Sequence, residues 1–380
     1  CGFYTSGAYN TALGYGALSS NLTGHMAVAI GANALAADQT VEESVAVGHD
    51  ALKSQTSGRN HAFGFRALQD LISGTYNVAV GGETLENITT GTYNTAVGTF
   101  AGRLGLAADY NVFAGYKAGY STSADGNTFI GYEAGSTATT TNNSVAIGRQ
   151  AMHNSATTGD FNIAIGRTTM QGMTSGTQNT AIGVDSLSGV STGSYNVAVG
   201  PSSLRLGETT NSVAVGNQSG RNATGNNQVF VGYEAGYSNT SGINTAIGYR
   251  TLRSNQTGTG NVAVGNDVMY YNNGGSYNVA VGNAANQAGS GHRNVHIGQQ
   301  AGGYNTGTLI TAVATKLLKV YPTIPTLPAT ARSSVLTRGV KEIRASQILL
   351  LGITLVLRSL PEVITPFLVH ITAKQDWTYA

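Results

Sequence analysis

One short pattern recurs along most of this chain. A glycine preceded by Asn-x-Ala-Val/Ile, or a close variant, occurs eighteen times, always 16 to 18 residues after the previous copy. We call these residues the pivot glycines and number each repeat from its pivot, so that Ala79 is at position −2 of the Gly81 repeat. Such a period is typical of a solenoid, in which each unit stacks on the next. The pivot glycines are Gly14, Gly31, Gly48, Gly64, Gly81, Gly98, Gly115, Gly131, Gly148, Gly166, Gly183, Gly200, Gly216, Gly232, Gly248, Gly265, Gly282 and Gly298.

Positions −3 to −1 of each repeat predict a short strand. Position −3 is nearly always Val, Ile or Thr, and position −1 is apolar in every copy. Side chains alternate along a strand, so these two share one face and the usual Ala at position −2 lies on the other. We predict that both faces are buried. The Val/Ile face would lie against the bulk of the coil, and the small Ala face against another backbone or subunit.

The remaining positions predict turns and one further strand. The pivot suits a turn that needs positive φ or a close approach of two backbones. Asn occupies position −4 in thirteen copies, and stacked Asn side chains can form a hydrogen-bonded ladder. Leu or Met is frequent at position +4, which predicts a second short strand that closes the coil.

Substitutions at two positions are coupled. Where Gly replaces Leu at position +4, Phe replaces Ala at position −2 of the next copy in three cases. We predict that the large side chain fills the space left by the missing one in the adjacent coil, as close packing favours. Gly135 and Gly236 are followed by no such Phe. The coupled pairs are Gly102 with Phe113, Gly119 with Phe129, and Gly220 with Phe230.

These features predict an all-β fold, a parallel β-roll or β-solenoid of about eighteen coils over residues 1–313. With 52 glycines and 10% charged residues, the composition suits short strands separated by tight turns. Stacked at the usual strand spacing, the coils would make a rod of roughly 85 Å. One thin coil cannot cover its own apolar surface, so we expect a homo-oligomer with threefold closure through the Ala face. Cys1 is the single cysteine, so no intrachain disulfide is possible.

The string Asn143-Ser144-Val145-Ala146-Ile147-Gly148 resembles the signature of trimeric autotransporter adhesin heads, and the likeness extends over residues 1–313. The chain is also similar to repeats of phage tail fibres and bacterial tail-fibre-domain surface proteins. In those repeats Asn-Thr-Ala-x-Gly-Tyr-x-Ala-Leu recurs, here from Asn10 to Leu18. The resemblance implies a left-handed, trimeric β-roll at the bacterial cell surface or on a virion. It also implies binding to host matrix or a cell-surface receptor.

Three alternatives to an adhesin head are open. A fibre shaft would use the repeats only as a spacer. An ice-binding solenoid would need a flat Thr array, but Thr occupies position −3 in only five of the eighteen copies and that face is predicted to be buried. An enzyme is the least favoured, since no nucleophile, base and acid recur at consistent positions. We expect no cofactor and no metal, and we interpret His292 as a loop residue and His296 as a substitution at the Ala position.

Tyrosines recur on both sides of the predicted strand and form a possible ligand face. Tyr is a good contact residue because it loses little conformational entropy on binding. Packing against neighbouring turns is the competing interpretation. The candidates are Tyr76, Tyr93, Tyr110, Tyr195 and Tyr277 at position −5, and Tyr116, Tyr132, Tyr233 and Tyr249 at position +1.

The last segment, 314–380, has a different character. It holds five of the six prolines and two of the 52 glycines. It also holds eight of the 20 Lys/Arg and three of the 18 Asp/Glu, so residues 1–313 carry a net charge near −3 and give no electrostatic reason to expect nucleic acid. If one nucleotide is restored near codon 314, the codons that follow can encode Val-Gly-Tyr-Lys-Ala-Leu. The glycine of this string then lies at the spacing expected for the next pivot. We therefore interpret 314–380 as a frameshifted read of further repeats, without a native fold and without a membrane segment.

Overall fold

A computed structural model of the chain describes residues 6–40, 42–153 and 158–313. Within these ranges the regular secondary structure is nineteen β-strands, one for each repeat and one more after the last pivot. The predicted frameshifted tail, 314–380, lies outside the described residues. The strands are β1 Thr11–Leu13, β2 Val28–Ile30, β3 Val45–Val47, β4 His61–Phe63, β5 Val78–Val80, β6 Thr95–Val97, β7 Val112–Ala114, β8 Thr128–Ile130, β9 Val145–Ile147, β10 Ile163–Ile165, β11 Thr180–Ile182, β12 Val197–Val199, β13 Val213–Val215, β14 Val229–Val231, β15 Thr245–Ile247, β16 Val262–Asn266, β17 Val279–Asn283, β18 Val295–Ile297 and β19 Thr311–Val313.

Each strand pairs in parallel with the next strand along the chain, so the nineteen form one sheet. The register follows the repeat: Val78 pairs with Thr95, Ala79 with Ala96 and Val80 with Val97. Every equivalent position therefore lies in a straight row across the sheet. The predicted all-β parallel solenoid of about eighteen coils is confirmed, while its left-handedness and threefold assembly stay predictions.

The Ala at position −2 points into the coil, contrary to the expectation that it faces another subunit. Position −2 is buried in every strand from β2 to β18, and the residues on either side of it are partly or fully exposed. It packs in one continuous core with the Leu or Met at position +4, such as Leu85 and Met170. The reason is size, because a coil of 16–18 residues encloses room for Ala opposite Leu but not for two large side chains.

The predicted second strand at position +4 is wrong. Leu and Met there have φ between 45° and 52°, in the left-handed region, so the segment is a turn and not an extended strand. The turns still stack, because the N–H of Leu85 donates to the carbonyl of Ala101 in the next coil at 2.9 Å. One wall of the coil is therefore a sheet and the opposite wall is a ladder of turns.

The Asn ladder is confirmed. Asn94 Nδ2 donates to Asn77 Oδ1 at 3.0 Å and to the carbonyl of Ala108 at 2.6 Å. Asn94 Oδ1 in turn accepts the backbone N–H of Asn111 at 3.0 Å. Both Asn94 and Asn111 are fully buried. Asn94 thus satisfies buried polar groups of the coils on either side of its own.

Asn94→Ala is expected to lower the free energy of unfolding by about 2 kcal/mol, because it leaves the buried N–H of Asn111 without an acceptor. Asn94→Ser is the matched control. Ser144 occupies the same position in its coil, and its Oγ accepts the N–H of Asn162 at 3.0 Å. Urea unfolding of both variants should show a smaller loss for Ser. Equal losses would mean that the ladder contributes only through packing.

The pivot glycines all have φ between 120° and 148°, which side chains rarely allow. A Cβ placed on any pivot from Gly14 to Gly282 would also lie under 3.0 Å from the backbone of the next pivot. The pivots therefore combine a conformation open only to glycine with a close approach of two backbones.

The Phe side chains fill the space above glycines at position +4, but the pairing differs in part from the prediction. A Cβ on Gly119 would overlap the ring of Phe113 in its own coil, whereas Phe129 was the predicted partner. Phe113 also covers Gly102 of the preceding coil, as predicted. The glycines that had no predicted partner are filled in the same way, Gly135 by Phe129 and Gly236 by Phe230. The rule is that a large residue at position −2 needs glycine at position +4 of its own coil.

Candidate functional site

The outer face of the sheet carries two rows of apolar side chains. Positions −3 and −1 point away from the core, and the exposed fraction is 45% for Val97 and 38% for both Val112 and Ile130. This reverses the predicted roles of the two faces, since the Val/Ile face was expected to lie against the bulk of the coil. A regular apolar surface of this length is unusual on a monomeric protein.

Three candidate tyrosines at position −5 stack along the edge of this face. The ring centroids of Tyr76 and Tyr93 are 5.1 Å apart, those of Tyr93 and Tyr110 are 5.3 Å apart, and the rings are nearly parallel. About half of each ring is exposed. Because the rings cover one another's faces, they offer ring edges and hydroxyls to a ligand and leave free faces only at the ends of the stack.

The candidates at position +1 form two shorter stacks. The centroids are 5.4 Å apart for Tyr116 and Tyr132, and 5.3 Å apart for Tyr233 and Tyr249. Lys117 lies over the Tyr116 ring and Arg250 over the Tyr249 ring, at 5.4 Å and 4.9 Å.

Tyr195 and Tyr277 are each more than half exposed, and neither forms a ring stack with another candidate among the described residues. The nine tyrosines therefore do not form one surface. The ligand face stays a prediction, and the stacking accounts for seven of the nine by contacts within the chain.

At position +5, Arg and Tyr alternate along consecutive coils, a pattern that we did not predict from the sequence. Consecutive coils place Arg221, Tyr237, Arg253 and Tyr270 there, with Arg205 one coil earlier. Arg253 Cζ lies 4.9 Å from the Tyr237 centroid and 5.6 Å from that of Tyr270. The signal was available in the sequence once the repeats were aligned on their pivots, because only that register brings these residues into one row.

One nucleophile, base and acid do come together, which the spacing of the repeats did not predict. Ser136 Oγ is 2.6 Å from His153 Nδ1, and His153 Nε2 is 3.8 Å from Glu133 Oε2. The second distance is too long for a hydrogen bond, and Ser136 is buried. This geometry does not present an activated hydroxyl to a substrate.

His292 lies in a loop and His296 in a strand, as predicted. His292 Nδ1 accepts the backbone N–H of Ser276 at 3.1 Å in a loop, and His296 replaces Ala in β18. In the part of the chain that is described, no three His, Cys, Asp or Glu side chains lie where they could hold a metal ion. The same residues include no helix that is long and apolar enough to cross a membrane.

His296 is a fully buried polar substitute for Ala. Its ring fills the space above Gly302 as Phe113 does above Gly119, and its Nδ1 has no hydrogen-bond partner. Its Nε2 lies 3.4 Å from Asn305 Nδ2. Desolvation lowers the pKa of His296 from its ordinary value of 6.5 to about 4. The imidazole is therefore neutral in the folded coil.

Acid should loosen the coils around His296. The His296 imidazole binds a proton more readily in the unfolded chain than in the folded one. Its contribution to the free energy of unfolding is therefore fully present above pH 6.5 and is lost as the pH falls towards about 4. The total loss is about 3 kcal/mol. His296→Phe should remove the dependence, and amide hydrogen exchange in β17 and β18 at pH 7 and pH 5 measures it. An unchanged pH response in the variant would assign the effect to other groups.

No protein-family model and no curated protein matches this sequence. The features of the molecule that could serve a function are the sheet face, the tyrosine stacks and the row at position +5.

Proposed function

We propose that the chain is an extracellular structural and adhesive protein, the head of a trimeric adhesin, and that three copies associate through the outer sheet face. The observation that carries the proposal is the two rows at positions −3 and −1, which run across all nineteen strands and are partly or fully exposed. The adhesive role and the cell-surface or virion location follow from the resemblance of the repeats to adhesin heads. The ligand would be host matrix or a cell-surface receptor.

The size and chemistry of the face support further copies of the chain as its occupants. The sheet is about 85 Å long at the usual strand spacing, and a width of about 10 Å gives about 850 Å². A standard stable interface buries about 800 Å² of each partner. The rows contain almost only Val, Ile and Thr and almost no charge, which suits a permanent interface between identical chains.

A charged substitution on the face tests this assembly. Val97→Lys should reduce the mass of the wild-type oligomer to that of one chain, because three ammonium groups would meet in an apolar interface. The side chain is 45% exposed in the single chain, so the coil itself tolerates the change. Thr90→Lys, on the exposed outer turn, is the matched control and should leave the mass unchanged. An oligomer that survives Val97→Lys would place the interface elsewhere.

A shaft with no binding role is the alternative for the same assembly. Beads coated with the full chain should adhere to surfaces coated with extracellular matrix extract if the chain is an adhesin head. Beads that do not adhere, from a chain that is trimeric, would favour the shaft.

Ice binding is a second candidate, because the regular face is exposed and not buried as the sequence predicted. A monomeric chain would keep that face free for a flat ligand. Thermal hysteresis in dilute solution measures this activity, and the proposed trimer predicts none.

A further inference from the structure

The row at position +5 lies on the wall opposite the sheet. A Cβ at position +4 of the Gly115 coil would overlap the Phe113 ring at position −2, so these two positions face each other across the core. The residue that follows an inward +4 side chain lies on the outer surface. The five residues of the row from the Gly200 coil to the Gly265 coil are all partly exposed: Arg205, Arg221, Tyr237, Arg253 and Tyr270.

Stacking holds the guanidinium groups of this row in place. Arg221 Cζ lies 5.6 Å from the Tyr237 centroid, and Arg221 Nη1 donates to the Tyr237 hydroxyl at 3.0 Å. Arg253 Cζ lies 4.9 Å from the centroid of the same ring. A guanidinium that stacks through its face keeps its remaining edge donors available for an anion.

Two of the arginines lack a close carboxylate. Arg221 forms no ion pair within the described ranges, and Arg205 reaches Asp185 only at 3.9 Å. The buried Nε of Arg205 has no hydrogen-bond partner. These like charges lie in adjacent coils of one row, so an anion bound between them would offset their mutual repulsion.

The nearest acidic residue in sequence does not neutralise the pair. Glu208 turns towards the backbone N–H groups of Ser191, Thr192 and Gly193, at 2.7, 3.1 and 3.2 Å. Burial alone raises its pKa, but these hydrogen bonds together hold the pKa of Glu208 below its ordinary value. The Glu208 carboxylate therefore interacts with these N–H groups and not with Arg205 or Arg221.

Arg103 offers an internal comparison at the same position of another coil. It lies 2.8 Å from Glu83 and 2.6 Å from Glu86, so its charge is neutralised within the chain. The Arg205–Arg221 pair is different because no carboxylate lies closer than 3.9 Å to either guanidinium among the described residues.

We propose that Arg205 and Arg221 bind the anionic groups of a linear acidic polysaccharide that runs along the solenoid, with Tyr237 and Tyr270 of the same row as further contacts. Arg253 is excluded from the anion site because it pairs with Glu234 at 2.5 Å. The row presents one side chain per coil, about every 4.8 Å, which suits a regular extended polymer. Nucleic acid fits less well. Two guanidinium groups already lie over the Tyr237 ring, so they compete with a base for stacking there.

This inference rests on the adhesive half of the proposed function and names its ligand class. It does not depend on self-association, since the row and the sheet face lie on opposite walls.

Binding of the full chain to heparin and to polygalacturonate, by calorimetry at low salt, tests the site and separates sulfate from carboxylate recognition. Arg205→Ser with Arg221→Ser should weaken binding of the preferred polymer about tenfold or more. Ser136 and Ser188 occupy position +5 in other coils, so the double variant should fold. Arg103→Ser is the matched control and should bind as the wild type does.

Two results would overturn the inference: no binding of either polymer by the wild type, or equal binding by wild type and double variant. Tighter binding of duplex DNA with the same loss in the variant would overturn the ligand class. The mass of each sample, measured in parallel, separates the two proposals. A trimer without binding contradicts only the polysaccharide site, and a monomer with binding contradicts only the assembly.

Discussion

Gly81→Ala is expected to lower the free energy of unfolding by about 4–5 kcal/mol, among the largest effects of any single substitution in this chain. The backbone at Gly81 has φ of 132°, a region essentially closed to side chains. A Cβ there would lie 2.8 Å from the carbonyl carbon of Gly98 and 2.9 Å from its oxygen. Both atoms are backbone of the next coil, so neither can move without breaking the stack.

Gly82→Ala is the matched control for this prediction. Gly82 is the next residue, its φ is not in the left-handed region, and a Cβ there would meet no atom within 4 Å. Thermal unfolding should leave this variant near the wild type and shift Gly81→Ala strongly downwards. Similar melting temperatures for the two variants would contradict the role of the pivots.

Phe113→Ala is expected to cost about 4 kcal/mol, because it empties the space above Gly102 and Gly119 in a close-packed core. Gly119→Leu alone should also be destabilising, since even a Cβ at Gly119 overlaps the Phe113 ring. Combining the two changes restores the Ala–Leu pair of the other coils. Leu adopts the required left-handed conformation there, with φ between 45° and 52°.

The double variant should therefore be more stable than either single one, within about 2 kcal/mol of the wild type, because neighbouring substitutions are not additive. Guanidinium unfolding of all four proteins measures the coupling. Losses that simply add would mean that Phe113 and Gly119 do not share one space.

The sequence predicted most of the fold because each prediction followed from a repeated position. Eighteen spaced glycines, an Asn before each strand and the strand itself all recur in one register, so a single stacking rule placed them all. The second strand failed because Leu at position +4 adopts positive φ, which residue identity does not announce.

The roles of the two faces could not be predicted from the sequence. Alternation shows that Ala79 and Val80 point in opposite directions, but only the space inside the coil decides which of them is enclosed. The Arg–Tyr row at position +5 was not predicted, for a different reason. It recurs in five adjacent coils and not in all, so a search for residues common to every repeat passes over it.

We infer that the exposed Val/Ile face is an interface between copies of this chain. The most direct test is the mass of the full chain in solution, by light scattering on a sizing column. We expect three times the chain mass of 39.0 kDa. A well-folded species of 39.0 kDa would contradict it and leave the face free for another ligand.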